Sequence, residues 1–179
     1  MERLKKISQE IIHRNPWWVY KRDIFEKENG GEGEYFYGET LGNAMVIPVT
    51  EDSRVVLVVQ YRYINQKLST EFPCGGRQGK ETFLETAKRE LREETGWLAE
   101  DFSQIGAFQG LNGLMDDECR VFLTDATEQG ESQNGEDEET EVIYRRPDEI
   151  EEMIRRNDIW DGQTLAAWAL AKHHFFNAN

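Results

Sequence analysis

The chain has 179 residues, 38% of them hydrophobic and 31% charged, with a formal net charge of −14. That is enough for one domain with a real core, it contains no apolar run long enough to span a bilayer, and its acidity argues against a nucleic-acid backbone or an acidic membrane as partner. The start, MERLKKISQE, lacks the apolar core of a signal peptide, and two cysteines, Cys74 and Cys119, make no disulfide framework, so a reducing cytoplasm is the expected setting.

Leu4, Ile7 and Ile11 recur at helical spacing, which suggests a short amphipathic helix ended by Pro16. Trp17-Trp18-Val19-Tyr20 and Ile24-Phe25 then read as a strand. Asn29–Gly33 reads as a turn and Glu34–Thr40 as the return strand. The aromatics of this hairpin either fill a core or sheet edge, or form a dimer surface or a shelf on which a base stacks. Ala44–Thr50 and Arg54–Tyr63 are rich in β-branched residues and read as strands, joined by a turn at Glu51-Asp52-Ser53. The second is nearly all apolar, as a central strand would be, and ends in Gln60-Tyr61-Arg62. Asn65–Ser69 reads as a loop, and Glu71-Phe72-Pro73-Cys74-Gly75 leads into a Gly-rich stretch.

That stretch opens a helix. Thr82 is a candidate N-cap with Glu85 as its capping-box partner, and Gly96 is a candidate stop. Leu84, Ala87 and Leu91 share one face. Glu90, Glu93 and Glu94 share another, at spacings of three and four. Like charges there destabilise a helix by about 0.2–0.5 kcal/mol per pair. They also face the unfavourable end of the macrodipole. Either Arg89 offsets both penalties, or a hard divalent cation with oxygen ligands does. Read alone, such a cluster is more often a solvated acidic face.

Beyond the helix, Gln104–Phe108 and Cys119–Thr124 read as strands, with QGLNGLMDDE between them. Asp117-Glu118 is either a solvated turn or a further acidic ligand. The acidic run Thr127–Glu141 reads as a polar loop before the strand Val142-Ile143-Tyr144. Pro147–Arg156 reads as a helix with Ile150, Met153 and Ile154 inside. Asp161-Gly162-Gln163-Thr164 starts the last one. No P-loop, dinucleotide fingerprint, zinc cluster or repeat is present.

The spacing Gly75, five residues, Glu81, seven residues, Arg89-Glu90-Leu91-x-Glu93-Glu94-x-Gly96-Trp97 resembles the Nudix box. The resemblance implies an α/β (α+β) fold: a Nudix α/β/α sandwich with a mixed central sheet and an N-terminal β extension. Residues 1–43 would be that extension, a helix and hairpin serving a homodimer, and 44–179 the hydrolase domain. It implies hydrolysis of a nucleoside diphosphate linked to another group, with Mg2+, or Mn2+ in its place. Glu90, Glu93, Glu94 and the backbone carbonyl of Cys74 would be metal ligands, with Arg89 orienting the glutamates. Gln60-Tyr61-Arg62 and the Glu71–Gly75 run look like the ADP-ribose pyrophosphatase subgroup, which would place Arg62, Glu71 and Gly75 at the substrate. The run around Glu136 and Glu138 resembles that subgroup's catalytic loop, with Glu136 as base and Glu138 as ligand; Glu93 is an alternative base. The chain departs from the subgroup where Asn112-Gly113 stands in place of a proline. Three activities stay open: a pyrophosphatase of ADP-ribose or another ADP-sugar, a hydrolase of a different conjugate such as GDP-mannose, and a nucleotide sensor that does not cleave.

Overall fold

The computed structural model describes residues 4–130 and 140–176; Glu136 and Glu138 lie outside them. In chain order the elements are β1 (Lys5–Arg14), β2 (Val19–Glu26), β3 (Glu32–Glu39), β4 (Asn43–Val49), β5 (Val55–Arg62), β6 (Lys67–Glu71), β7 (Cys74–Gly76) and α1 (Phe83–Thr95). There follow β8 (Trp97–Leu98), β9 (Phe102–Gln109), β10 (Met115–Asp116), β11 (Glu118–Asp125), β12 (Glu128–Gln129), β13 (Thr140–Arg145), α2 (Pro147–Arg155), α3 (Gly162–Ala171) and α4 (His173–Phe176). They fall into two compact units, one of Met1–Gly42 with Gln109–Glu118, the other of Asn43–Phe108 with Cys119–Asn179.

The first unit is a four-stranded sheet in the order β1-β2-β3-β10. Its first element corrects the sequence expectation: Lys5–Arg14 is a strand and not a helix. The reason is visible in its register with β2, which slips between Lys6 and Ser8 and again between Ile11 and His13. Each bulge adds a residue to the strand and breaks the alternation of apolar positions. The surviving pattern mimics a helical one. The β10 strand joins in parallel, Met115 opposite Gly38. A Cβ at Gly38 would come within 2.4 Å of the Met115 sulfur, so a larger residue there would push that side chain aside. The Asn112-Gly113 segment is therefore part of this unit, held by a hydrogen bond from the Tyr35 hydroxyl to the Gly113 carbonyl at 2.7 Å. Asp117, weighed above as a metal ligand, accepts a hydrogen bond from the Thr40 hydroxyl.

The second unit is built on a seven-stranded mixed sheet, β13-β5-β4-β11-β9, with β6 on β5 and β7 on β4. The β4–β11 pair is parallel; the β4–β5, β5–β6 and β5–β13 pairs are antiparallel. Strand alternation makes this sheet a sandwich filling. Ala44 and Val46 face α1 with Ala87, Leu91 and Phe122. Met45 and Ile47 point the other way, into a core shared with Leu57, Phe72, Ile150, Ile159 and Trp168. So α1 covers one face, and α2 with α3 the other. The Asn65–Ser69 loop is corrected too. Lys67–Ser69 belong to β6, which pairs with β5 from Arg62↔Lys67 to Val58↔Glu71. Among the described residues, no helix is long and apolar enough to cross a membrane.

Candidate active site

The chemistry-bearing side chains gather around α1 and the two strands before it. The helix begins and ends where its sequence says. The Thr82 hydroxyl accepts from the Glu85 N–H, the Glu85 carboxylate accepts from the Thr82 N–H, and Gly96 closes the helix at φ 74°. Its buried face differs in one residue from the expectation. Ala87 and Leu91 are buried, but Leu84 is 40% exposed. Phe83 takes the inward position, packed against the Ala44–Val46 core, with the guanidinium of Arg77 4.5 Å and that of Arg120 4.1 Å from its ring centre.

Arg89 organises the acids. Its Nε donates to Glu81 at 3.0 Å. Its Nη1 donates to Glu90 at 2.6 Å and to Glu93 at 2.9 Å. Its Nη2 donates to the Gly76 carbonyl at 2.9 Å and to Glu81 at 3.2 Å. All five guanidinium N–H donors are thus engaged. Burial works to lower the Arg89 pKa. The hydrogen bonds to Glu81 and Glu93 and the charge of Glu90 more than reverse that, so it stands above the usual arginine range. This cation offsets the like-charge repulsion of the helix.

Glu81 is the residue whose role the sequence left unassigned. The Arg89 hydrogen bond, helped by the Gln78 N–H and the Thr86 hydroxyl, lowers its carboxyl to about 2. Its position just ahead of the N-cap, two helical turns before Arg89, was the signal available.

Gly75 is a glycine for a reason of space. A Cβ there would lie 2.0 Å from a Glu90 carboxylate oxygen. The Glu90 carboxylate therefore rests directly on the β7 backbone, and the residue is 8% exposed. Gly79 needs its freedom for a positive φ of 56°. Gly76 meets neither demand: a Cβ there has nothing within 4 Å. One residue before Gly75, the Cys74 N–H donates to Glu94 at 3.2 Å. The neighbouring Cys119 thiol, then burial, then the charges of Glu94 and Glu90 push the Cys74 thiol well up, so it is neutral and a poor nucleophile.

Arg62 and Glu71 form the second cluster. The Arg62 Nε donates to Glu71 at 2.8 Å and its Nη2 donates to the other carboxylate oxygen. Gln60 reaches the same oxygen at 3.4 Å. The hydrogen bond to Glu71 raises the Arg62 pKa, against partial burial, and the charges of Glu71, Asp161 and Glu94 add to it. Asp161, the N-cap of α3, thus belongs to the surroundings of the site, as does Gln163, 4.0 Å from the Cys74 sulfur.

The carboxylates on one helix face are of the donor type that suits a hard divalent cation, and Gly75 leaves room for that of Glu90. Among the described residues, no three His, Cys, Asp or Glu side chains already form a cation cage. Arg89 holds Glu90 and Glu93 instead.

The chain is similar to known proteins over most of its length. The family description "NUDIX domain" matches residues 40–168. The chain is 28% identical over 151 residues to an ADP-ribose pyrophosphatase of Bacillus subtilis (strain 168), covering 83% of this chain and 81% of the relative. It is 31% identical over 165 residues to the methanol dehydrogenase activator of Bacillus methanolicus, covering 91% and 89%. A solved structure described as an ADP compounds hydrolase superposes with a TM-score of 0.82 over 97% of this chain and 94% of that one, at 18% identity.

Two outcomes test the site. Gly75→Ala should keep the fold but displace Glu90, lowering turnover by about 10²-fold, the cost of a displacement of order 1 Å at a reacting centre. Unchanged turnover would remove the Glu90–Gly75 contact from the argument. Glu81 should titrate near 2 rather than at 4.5 when followed by carbon NMR. Its contribution to stability is then complete above pH about 4.5 and is lost as the pH falls through about 2. The stability gap between the wild type and Glu81→Gln should be full at neutral pH and close at the acid end.

Proposed function

Because this chain belongs to the Nudix family, matched over residues 40–168, we propose that it hydrolyses the diphosphate bond of a nucleoside diphosphate joined to a second group. ADP-ribose or another ADP-sugar is the substrate class favoured. The observation that carries this reading is the assembly of Glu81, Arg89, Glu90 and Glu93 into one hydrogen-bonded cluster against the Gly75–Gly76 backbone. The relatives named as ADP-ribose pyrophosphatases support the choice of substrate.

Glu90, Glu93, Glu94 and the Cys74 carbonyl would hold the divalent ions, Mg2+ or Mn2+. When bound, these neutralise the diphosphate and lower the pKa of a water. The chain's own residues do the rest. Arg89 keeps the glutamates on one side of the helix. Arg62 docks the diphosphate through its guanidinium, which suits a pair of phosphate oxygens. A carboxylate takes the proton of the attacking water, with Glu136 as the first assignment and Glu93 as the alternative. Glu138 is assigned as a further ligand. Water attacks one phosphorus and the bridging P–O bond breaks. The products are a nucleoside monophosphate and a phosphorylated partner.

The first unit would serve a homodimer. Its β1 is an edge strand with all ten residues exposed, Ile7, Ile11 and Ile12 among them. Beside it runs an aromatic row, His13, Trp18, Tyr20 and Phe36, with successive ring centres 6.2–6.4 Å apart. An exposed edge strand is a template for pairing, and its three isoleucines add apolar surface.

Incubation with Mg2+ and, separately, ADP-ribose and GDP-mannose should give AMP and ribose 5-phosphate from the first. Turnover should fall by at least about 10²-fold in Glu94→Gln, as for loss of one transition-state contact. Preference for GDP-mannose would move the substrate assignment while keeping the mechanism. Tight nucleotide binding without any turnover would replace the enzyme by a sensor. Sedimentation should show a dimer that Ile11→Glu converts to monomer; a wild type that is monomeric at micromolar concentration would sink the dimer.

A further inference from the structure

The β5–β6 ladder places Gln60, Arg62 and Glu71 on one strand face, together with Ser69 and Lys67. Val58 is opposite Glu71, Gln60 opposite Ser69 and Arg62 opposite Lys67. Alternation puts Gln60, Arg62 and Glu71 on the same side. Arg62 could extend into water from the strand end. Instead its side chain turns back along the strand, past the Gln60–Ser69 pair, and grips Glu71.

The two partners differ sharply in exposure. The Glu71 side chain is 4% exposed and that of Arg62 is 44%. Both Glu71 oxygens already accept N–H groups, one from Arg62 Nε, the other from Arg62 Nη2 and Gln60. A carboxylate so placed is shielded by the arginine and would repel a diphosphate. The guanidinium has donors to spare. Of its five N–H groups, Glu71 takes one on Nε and one on Nη2. Among the described residues the two on Nη1 and the second on Nη2 make no hydrogen bond to the chain. The arginine is the more exposed partner of the pair.

We propose that Glu71 is a positioning residue that acts through Arg62: it grips the Nε–Nη2 edge of the guanidinium and so presents the Nη1 edge as a fixed two-donor dock for a pair of diphosphate oxygens. Gln60 steadies the same carboxylate. Glu71 does not touch the ligand. This rests on the diphosphate reading of the site, and it explains why a buried acid stands next to an anion-binding arginine. A buried carboxylate needs its cation, and that need orders an otherwise mobile side chain before the ligand arrives.

The test uses the full chain and ADP as probe, with Mg2+, measured by calorimetry. Arg62→Ala should weaken ADP by about 10–100-fold, the worth of charge-assisted hydrogen bonds. The isosteric Glu71→Gln should weaken it nearly as much when Arg62 is present and add nothing when Arg62 is already removed. Guanidinium ion, kept far below denaturing concentrations, should restore ADP binding to Arg62→Ala but not to the double variant, because only an intact Glu71 collects the cation. An equal loss from Glu71→Gln with and without Arg62 would mean direct contact with the ligand. A loss of thermal stability with ADP affinity unchanged would reduce Glu71 to fold support. Either result overturns the proposal. Arg62→Ala binding ADP as the wild type does would overturn it as well, by removing the dock. If ADP binding follows the expected pattern but no conjugate is hydrolysed, the hydrolase reading fails while the role of Glu71 stands.

Discussion

The site depends on one arginine. Three glutamates within two turns of one helix, near its C-terminal end, repel each other and the macrodipole. Arg89 answers with a planar fork whose five donors all find acceptors, on Glu81, Glu90, Glu93 and the Gly76 carbonyl. A lysine, a point charge with three donors, could not reach that set in one geometry. Because the acceptors come from the loop before the helix, the strand before that and the helix itself, the same contacts that hold the acids also tie β7 to α1. The Gly75 backbone completes the arrangement by leaving the space that the Glu90 carboxylate fills.

A net charge of −14 looks unsuited to handling anionic phosphates. The local picture differs. Arg89 stands among the acids and Arg62 at the end of β5, each with a pKa held up by its carboxylate partners. Arg77 and Arg120 flank Phe83 at the start of the helix. Bound divalent ions would add further positive charge where the donor oxygens collect.

The sheet supplies the rigidity behind this. Its central strand β4 is buried on both faces, Ala44 and Val46 toward α1, Met45 and Ile47 toward α2 and α3. With β7 paired along the start of β4, from Asn43↔Gly76 to Met45↔Cys74, the backbone that cradles Glu90 is tied to a strand buried on both faces. Cys74 is a small residue in that packing, with a thiol that its surroundings keep protonated. Sites built on packed strands and helices hold their geometry better than sites on loops.

The helix of the site, its N-cap, capping box and glycine stop were legible residue by residue, because each is decided by neighbours within four positions in the chain. So were most strands of the second unit, whose β-branched runs carry their own signal, and the family, whose spacing is a local pattern. The misreadings share a cause. Lys5–Arg14 looked helical because two bulges erase strand alternation, and a bulge exists only in register with a partner strand. Lys67–Ser69 looked like a loop because β6 owes its strand state to pairing with β5. Leu84 lost the inward position to Phe83, a matter of which side chain packs against the cluster of Ala44, Val46, Ala87 and Leu91. Glu81 offered only its position ahead of the N-cap as a signal, and that Glu71 lies behind Arg62 could not be read from spacing, since side-chain pairing across strands depends on where the backbone goes. The sequence by itself determined the local helix, its caps and the set of acids available. The tertiary structure alone decided which arginine each acid meets, because that choice rests on burial and register between segments distant in the chain.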